Sequence, residues 1–338
     1  MRIGWLAFES VNARYRGYVP ARELHERGHD VLYLAETDVP RDLSKLLDRD
    51  VVVMYRHFDA TAVRAATYLR ENGVALVWDN DDLLTGITKG HSEYRNLGGL
   101  RGERILKHIR AMVGLADVVT TPSAGLAEHY RAYGARFVAV IENYLPHEFL
   151  VSRQRDPRDT TVVCWTAARE HRLDLEQLNL SGRLLSLLER EPGLEFASIG
   201  LNLGFAHARY RHIRSVDFAK LTEALSAFDI GIAPLAATEF NASKSNVKVK
   251  EYAAGGLPWL ASDFGPYAGL GPSEGGALVS DSGWEEAIVE LARDGRLRAK
   301  RTKKAVRFAR DQSISNQVKR WERVLSQARE STLAPVHS

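Results

Sequence analysis

Cysteine is nearly absent from this sequence of 338 residues, since Cys164 is its single example. One cysteine cannot form a disulfide within the chain, and it cannot build a cysteine-based metal cluster. Because Cys164 stands inside the apolar run of residues 161–165, we expect it to be a small buried hydrophobic side chain.

Long hydrophobic runs are also missing. The apolar run of residues 51–55 is typical of the longest ones, and it is far shorter than the about 20 residues that cross a bilayer as a helix. Residues 1–10 enter a strand pattern directly and lack the apolar core and cleavage site of a signal peptide. We therefore expect a cytoplasmic protein.

Several motifs of common enzyme classes are absent too. No G-x-G-x-x-G follows the first predicted strand, residues 2–8, which disfavours a nicotinamide-dependent dehydrogenase. Neither a Ser/His/Asp triad nor a pair of catalytic carboxylates is evident, which disfavours a hydrolase. A net charge of +3 is too small to indicate that the molecule as a whole binds nucleic acid.

What the sequence does contain is an alternation of apolar runs with segments of helical periodicity, which is typical of α/β folds with parallel sheets. A chain of this length fits two domains. The charged stretch of residues 151–160, which contains Pro157, has the composition of a linker. We predict a first domain over residues 1–150, a second over 151–311, and a final helical segment over 312–338.

The most informative stretch is residues 229–263. Its pattern predicts a strand to about residue 235, a polar loop, a helix beginning near Val247, and a second strand at residues 259–261. In parallel sheets of this kind, ligands bind beyond the carboxyl ends of the strands. The polar loop there contains Asn241, Ser243, Lys244, Ser245 and Asn246.

The residue types in this stretch fit a nucleoside diphosphate. Free backbone N–H groups near Ser245 and Asn246, at the start of the helix, suit a phosphate, and Lys244 and Lys248 add positive charge. Glu251, one turn into the helix, could accept hydrogen bonds from a pair of ribose hydroxyls. The alternative is a solvated loop followed by a surface helix with Lys/Glu pairs.

Residues 240–263, with K-S-x-x-K-x-x-E-Y from Lys244 to Tyr252, resemble the donor-binding segment of retaining GT-B glycosyltransferases of family 4. They are most similar to a bacterial subgroup with that signature. The usual family motif has two glutamates separated by seven residues. Glu251 matches the second, which holds the ribose, whereas Ser243 replaces the first, which contacts the donor sugar.

The resemblance implies two Rossmann-like domains whose parallel sheets face each other across a cleft. The second domain would bind the donor, the first would bind the acceptor, and the last helix would return to the first domain. Neither a metal nor a further cofactor is implied. In this scheme Lys248 and Arg169 neutralise the leaving diphosphate and are the catalytic residues. The donor-binding set is Glu251, Lys244, Ser243, Ser245, Asn246, Val247, Asn241 and His171, the last from an H-x-x-D pattern that recurs in the subgroup.

On the acceptor side, the resemblance places the loop of residues 11–18, with Arg14, Arg16 and Gly17, against the cleft. The acids at the end of the fourth predicted strand, Asp79 and Asp81 among them, would lie near the acceptor. A D-x-D motif could instead bind Mg²⁺ or Mn²⁺, but that motif belongs to a different, metal-dependent fold.

His91 is the remaining acceptor-side candidate. It lies in the long aperiodic stretch of residues 84–102, and such stretches are often functional or mobile. A histidine in a cleft can transfer protons. An exposed histidine without a role is the alternative.

Residues 296–310 carry eight basic side chains and no acid. A helix of this kind could contact an anionic membrane surface, here the inner face. A solvated basic face is the alternative.

Taken together, these features predict a glycosyltransferase that moves a sugar from a nucleotide-sugar to an acceptor glycan or small molecule. The resemblance implies in addition that the transfer retains the anomeric configuration and needs no metal. The pathway could be polysaccharide biosynthesis or natural-product glycosylation. Two alternatives stay open: a nucleotide-sugar-binding subunit with little catalysis, motivated by Ser243, and a nucleotide-sugar epimerase of the same fold. The sequence leaves the sugar, the base, the acceptor and the oligomeric state open.

Overall fold

The structure, a computed structural model, describes residues 1–10, 13–150 and 158–333, without the side chain of Leu333. Its described part contains two parallel sheets of six strands each. The first sheet comprises β1 (Arg2–Phe8), β2 (Asp30–Glu36), β3 (Val51–Tyr55), β4 (Ala75–Asp79), β5 (Val118–Thr121) and β6 (Val138–Val140). The second comprises β7 (Thr161–Ala167), β8 (Leu194–Gly200), β9 (Tyr210–Ile213), β10 (Ile230–Ala233), β11 (Trp259–Ser262) and β12 (Gly276–Val279).

Helices cover both faces of the sheets. Those around the first sheet are α1 (Val19–Glu26), α2 (Ser44–Leu47), α3 (Ala60–Glu71), α4 (Tyr94–Leu97), α5 (Gly99–Leu115) and α6 (Ala124–Ala132). Those that follow are α7 (Arg172–Gln177), α8 (Leu180–Arg190), α9 (Leu221–Leu225), α10 (Glu239–Ala242), α11 (Val247–Ala254), α12 (Trp284–Arg293), α13 (Gly295–Asp311), α14 (Ile314–Gln317) and α15 (Lys319–Leu333).

Strand order gives each sheet a switch point. The first sheet runs β2-β1-β3-β4-β5-β6 and the second runs β12-β11-β10-β7-β8-β9, with every neighbouring pair parallel. The order reverses between β1 and β3 in one sheet and between β7 and β10 in the other. Crevices at such points are where parallel α/β sheets bind ligands. The predicted α/β fold with two parallel-sheet domains is confirmed.

Burial on both faces explains the continuous apolar strands. All residues of β3 and all residues of β4, including the terminal Asp79, are buried, as expected where helices pack on both sides of a parallel sheet. The predicted burial of Cys164 in β7 is confirmed as well.

Tyr252 fixes α11 against the second sheet. Its hydroxyl donates to the carbonyl oxygen of Ile232 at 2.7 Å and accepts from the N–H of Thr166 at 2.9 Å. The ring lies so close to Gly231 that a Cβ there would stand 2.4 Å from it. These contacts bring the start of α11 to the carboxyl ends of β7 and β10.

The C-terminal helix α15 packs against the first sheet rather than the second. Trp321, Val324 and Leu325 belong to the same buried cluster as Trp5 and Val77, and the ring centroids of Trp5 and Trp321 are 4.9 Å apart. The exact domain boundaries stay a prediction, and residues 151–157 of the proposed linker lie outside the described residues.

Some local expectations differ from the structure. Leucines at helical spacing predict one helix over residues 173–190, but the chain forms two, α7 and α8, because Asn179 between them takes a left-handed backbone conformation with φ 47°. Residues 201–215, rich in basic and aromatic side chains, are predicted to be irregular, but they contain the edge strand β9. The aperiodic stretch of residues 84–102 contains a 3₁₀ turn, Leu84–Gly86, and short helical segments, and the first loop includes a π-helical turn, Arg14–Tyr18, that continues into α1.

No helix among the described residues is both long enough and apolar enough to cross a membrane.

Candidate active site

A cavity of about 720 Å³ lies where the carboxyl ends of the two sheets meet. Both domains supply its walls. The first domain contributes Arg14, Tyr15, Arg56, Asp81, Asp82 and His91, and the second contributes Arg169, Glu170, His171, Lys244, Ser245, Val247, Lys248 and Glu251. Seven of the predicted donor-side residues therefore share one cavity with three of the predicted acceptor-side residues, Arg14, Asp81 and His91.

Lys248 connects α11 to the end of β7. Its ammonium group donates to the carbonyl oxygen of Thr166 at 2.6 Å and to Thr166 Oγ1 at 3.2 Å. Burial lowers the pKa of Lys248, and the negative charge of Glu251 opposes that shift. The ammonium group thus stands beside the N-terminus of α11, where free backbone N–H groups already favour an anion.

Glu251 is buried one turn further along α11. The hydroxyl of Tyr15, from the first domain, donates to its Oε1 at 2.6 Å. Burial raises the pKa of Glu251, whereas the positive charge of Lys248 and the hydrogen bond from Tyr15 lower it. The site therefore places a carboxylate and an ammonium group on one turn of the same helix.

His171 and Asp174 form a buried pair at the start of α7. His171 Nδ1 lies 2.7 Å from Asp174 Oδ2, while Asp174 Oδ1 accepts from the N–H of Ala236 and from Asn241 Nδ2. Burial and the charge of Lys244 lower the pKa of His171 to about 4. At neutral pH the imidazole is therefore uncharged, donates from Nδ1 to the carboxylate, and keeps Nε2 as an acceptor in the cavity wall.

The first-domain wall carries a second charged group. Arg56 Nη1 lies 3.3 Å from Asp81 Oδ1 and 3.2 Å from Asp82 Oδ2, and the hydroxyl of Tyr55 donates to Asp81 Oδ2 at 2.9 Å. Burial and the adjacent charge of Asp81 raise the pKa of Asp82 to about 6. Arg56 adopts φ 57°, a left-handed conformation that is uncommon for a residue other than glycine.

His91 presents an unused polar atom to the cavity. Its Nδ1 accepts from the N–H of Glu93 at 3.1 Å, so Nε2 carries the proton of the neutral ring. That Nε2 is buried and has no hydrogen-bond partner within the described part of the chain. The ring packs edge-on against Phe240 with centroids 4.8 Å apart. His91 is thus buried, contrary to the alternative that it is exposed.

Three predicted acceptor-side residues do not line the cavity. Arg16 is fully buried and donates through Nε to Asp79 Oδ2 at 3.0 Å, with further bonds to Asp79 Oδ1 and the Ile141 carbonyl oxygen. A Cβ on Gly17 would stand 2.9 Å from the hydroxyl of Tyr33. Arg16, Gly17 and Asp79 belong to the interior of the first domain, because a buried guanidinium requires a nearby carboxylate.

Three predicted donor-binding residues also lie outside the cavity lining. Asn241 is held by Asp174. Ser243 is buried, its carbonyl oxygen accepts from Ser123 Oγ at 2.6 Å, and its own Oγ has no partner among the described residues. Asn246 precedes α11, and its Oδ1 likewise lacks one. Whether they contact the donor stays a prediction.

Sequence reasoning missed Tyr15 and Arg56. Arg56 directly follows the buried strand β3, so its position at the carboxyl end of that strand was a usable signal. Tyr15 lies in the loop of residues 11–18 that was expected to face the cleft. Nothing in the sequence indicated its partner Glu251, because that residue is 236 positions away and the contact depends on how the two domains meet.

The acids of residues 79–82 do not form a metal-binding cluster in the structure. Within the described ranges, the group of His and acidic side chains close enough to share an ion is Glu23, Glu26 and His147. That group lies outside the cavity lining. The expectation of metal-independent chemistry stays a prediction.

No protein-family model and no curated protein matches the sequence significantly. Solved structures do match over nearly the whole chain. A sucrose-phosphate synthase from Thermosynechococcus elongatus superposes with a TM-score of 0.70 at 13% identity, covering 97% of this chain and 98% of that one. The fold is GT-B.

Two further solved structures show the same two-domain architecture. An alpha-glucosyltransferase in complex with UDP-glucose and DNA gives a TM-score of 0.67 at 14% identity, with 96% of this chain and 99% of that one covered. Anabaena HepE in complex with UDP gives 0.65 at 13% identity, with 96% and 100% covered. At these sequence identities, the similarity shows a shared fold and nothing more specific.

Proposed function

We propose that the protein is a nucleotide-sugar-dependent glycosyltransferase of the retaining GT-B type, related to family 4. The observation that carries the proposal is the start of α11. Its free N–H groups, Lys248 and Glu251 lie together in a cavity at the switch point of the second sheet. GT-B neighbours solved with UDP or UDP-glucose support a donor of that class.

The donor diphosphate would bind at the N-terminus of α11. Lys248, Lys244 and Arg169 line the cavity. They would neutralise the charge that develops on the leaving diphosphate, which is electrostatic stabilisation of the transition state. These cations support the proposal that the reaction proceeds without a metal. Glu251 would accept hydrogen bonds from the ribose.

The acceptor would enter from the first-domain wall. Asp81, Asp82 and the free Nε2–H of His91 offer both acceptors and a donor for hydroxyl groups. In a retaining front-face reaction the departing phosphate takes the proton of the acceptor hydroxyl, so the site requires no separate base. The acceptor class is a glycan or a small molecule.

The protein would act in the cytoplasm and contact the inner face of the membrane through α13. Arg296, Lys300, Lys303, Arg307 and Arg310 are all exposed on this helix. Their spacing of three and four residues places them on one face.

Ser243 motivates a second candidate, a nucleotide-sugar-binding subunit with little catalysis of its own. Where the usual motif has a glutamate for the donor sugar, this chain has a buried serine whose carbonyl oxygen bonds to the first domain. Steady turnover of a matched donor and acceptor would exclude this candidate. Isomerisation of the donor without an acceptor would indicate an epimerase instead.

The test begins with a thermal-shift screen of UDP, GDP, ADP, TDP and their sugar conjugates, with and without EDTA. A ligand that binds the folded state alone raises the melting temperature. We expect a selective shift that is insensitive to EDTA.

Calorimetry with the selected nucleoside diphosphate then tests the site. Glu251→Ala and Lys248→Ala should each weaken binding by about tenfold or more, since each removes a charged hydrogen-bonding group. Lys303→Ala, which removes an equivalent charge from the exposed face of α13, is the matched control. Unchanged affinity in both cavity variants would refute the site assignment.

A further inference from the structure

The hydrogen bond between Tyr15 and Glu251 joins the two domains inside the cavity. Tyr15 belongs to the π-helical turn after β1, and Glu251 belongs to α11 of the second domain. The hydroxyl oxygen lies 2.6 Å from Glu251 Oε1, and both side chains are buried. A short bond from a neutral donor to a buried carboxylate is among the stronger hydrogen bonds in proteins.

The ring of Tyr15 is held in place independently of this bond. It packs edge-on against Phe218 with centroids 5.0 Å apart and planes at 76°. Phe218 in turn packs on Phe149 at 4.8 Å, and the guanidinium carbon of Arg14 lies 4.9 Å from the Phe218 ring centroid. The position of the hydroxyl is therefore fixed by aromatic packing, so loss of the hydroxyl alone leaves the ring in place.

Glu251 retains capacity for a ligand. An ionised carboxylate accepts at about four lone-pair sites, and in the part of the chain that the structure describes, Tyr15 is the side chain that donates to it. Its remaining sites are open to the cavity that it lines. A group with two neighbouring hydroxyls can use them.

We propose that Tyr15 is a positioning residue for ribose recognition. Its hydroxyl holds Glu251 Oε1, so that the rest of the carboxylate is oriented towards the 2′- and 3′-hydroxyls of the nucleotide. Because Tyr15 comes from the first domain, the ribose site is complete only when the two domains meet as they do here. The inference rests on the proposed function, in which Glu251 binds the ribose.

The test compares ribose with a sugar that lacks both hydroxyls. Calorimetric dissociation constants are measured for UDP, GDP and ADP and for their 2′,3′-dideoxy counterparts. In the unmodified protein we expect one ribonucleotide to bind at least about tenfold more tightly than its dideoxy counterpart, as for a hydrogen bond to a charged group. Tyr15→Phe should weaken ribonucleotide binding by about tenfold and leave dideoxynucleotide binding within about twofold.

Two further variants separate positioning from a structural effect. Tyr18→Phe removes a hydroxyl from the same turn at a half-exposed site and should change neither constant. Glu251→Gln removes the negative charge of the carboxylate that Tyr15 holds in place. In the Tyr15→Phe/Glu251→Gln double variant the loss should be smaller than the product of the two single losses, because both act on one contact. Melting curves check that each variant is folded.

The outcomes distinguish this inference from the proposed function. If the unmodified protein prefers the ribonucleotide and Tyr15→Phe keeps that preference, the positioning role is refuted while the proposed function stands. If the unmodified protein binds ribo- and dideoxynucleotides equally, Glu251 does not bind ribose and the inference fails with it. If it binds none of the nucleotides, the proposed function is also wrong.

Discussion

Three acidic side chains within residues 79–82 have different partners. Asp79, the last residue of β4, is buried and pairs with Arg16 and Thr120. Asp81 and Asp82 both face Arg56 at the cavity. The carboxylates of the apparent D-x-D motif thus pair with two different arginines, Asp79 with Arg16 and Asp81 with Arg56. Each carboxylate already has a positively charged side chain beside it. This division supports the proposal of metal-independent chemistry.

The pKa of Asp82 predicts a pH-dependent stability. In the folded protein this pKa is raised to about 6, above the about 3.9 of an unfolded chain. The folded state therefore binds more protons between these values, and this contribution to stability is lost as the pH rises through about 6. Asp82→Asn removes this pH dependence. As the pH rises from 4 to 7, the free energy of unfolding of the variant should therefore increase by about 1–3 kcal/mol relative to that of the unmodified protein.

Urea unfolding at several pH values measures this gain. Comparing the stability difference at pH 4 with that at pH 7 cancels any effect of the substitution that does not depend on pH. Asp281→Asn, at an exposed site outside the cavity, controls for the removal of one negative charge. Parallel pH profiles for Asp82→Asn and the unmodified protein would contradict the prediction.

At the residue scale, what the sequence could predict depended on whether a contact is local. Lys248 and Glu251 lie on one turn of one helix, so their shared placement followed from helical spacing. Arg16 was misplaced because a basic residue in a first loop can face a ligand or a buried carboxylate, and nothing nearby in sequence distinguishes the two. Tyr15 was missed because its contact arises from the juxtaposition of two domains.

At the scale of elements, strong periodicity gave accurate bounds. Helical periodicity followed by Gly73 predicts a helix over residues 60–71, and α3 has these bounds. It begins there because the side chain of Asp59 accepts from the N–H of Ala62. The break at Asn179 was missed because leucines continue at helical spacing on both sides of it. The edge strand β9 was missed because its two central side chains are exposed and polar, so no apolar run marks it.

The exposed face of α13 predicts binding to anionic lipid. Ala305 and Ala309 are buried, whereas the basic residues at positions 296, 300, 303, 307 and 310 are exposed. Each basic residue near an anionic surface contributes about 1 kcal/mol. Replacing Lys300, Lys303 and Arg307 by alanine should therefore weaken partitioning by about 3 kcal/mol, roughly a hundredfold.

Co-sedimentation with vesicles of phosphatidylglycerol and phosphatidylcholine measures this partitioning. The matched control replaces Arg101, Arg104 and Lys107, which are exposed on α5 of the first domain, and so removes the same charge elsewhere. If both triple variants lose binding equally, net charge rather than the α13 face is responsible. Equal binding to vesicles of phosphatidylcholine alone would contradict an electrostatic contact.

At the scale of the whole molecule, polar contacts at the base of the cleft join the domains. Lys250 on α11 donates to Glu142 Oε2 at 2.6 Å and to the Asn143 carbonyl oxygen at 3.0 Å, and Asn143 Nδ2 donates to Ser245 Oγ at 3.2 Å. Burial lowers the pKa of Lys250 to about 8. The helix that carries the proposed donor site is thus fixed directly to the end of the first domain.

The return of α15 makes the end of the chain part of the first domain's core. Trp321 is buried against Trp5, and the guanidinium carbon of Arg16 lies 5.3 Å from its ring centroid, next to the buried pair with Asp79. Trp321→Ala should therefore destabilise the first domain by about 3–5 kcal/mol, although the residue lies beyond the second domain in sequence. Urea unfolding, monitored by hydrogen exchange in each domain, measures this loss of stability.

Two substitutions make this prediction specific to the first domain. Arg323→Ala, on the exposed side of the same helix, should change stability by less than about 0.5 kcal/mol. Trp284→Ala removes a tryptophan of the same burial from the core of the second domain and should lower protection there first. Because Trp321 packs in the core of the first domain, Trp321→Ala should spare the exchange protection of β7, β10 and α11 under conditions where β1, β3 and β4 already exchange. These spared elements carry the proposed donor site. Simultaneous loss of protection in both sheets would instead show that the two domains unfold as one unit.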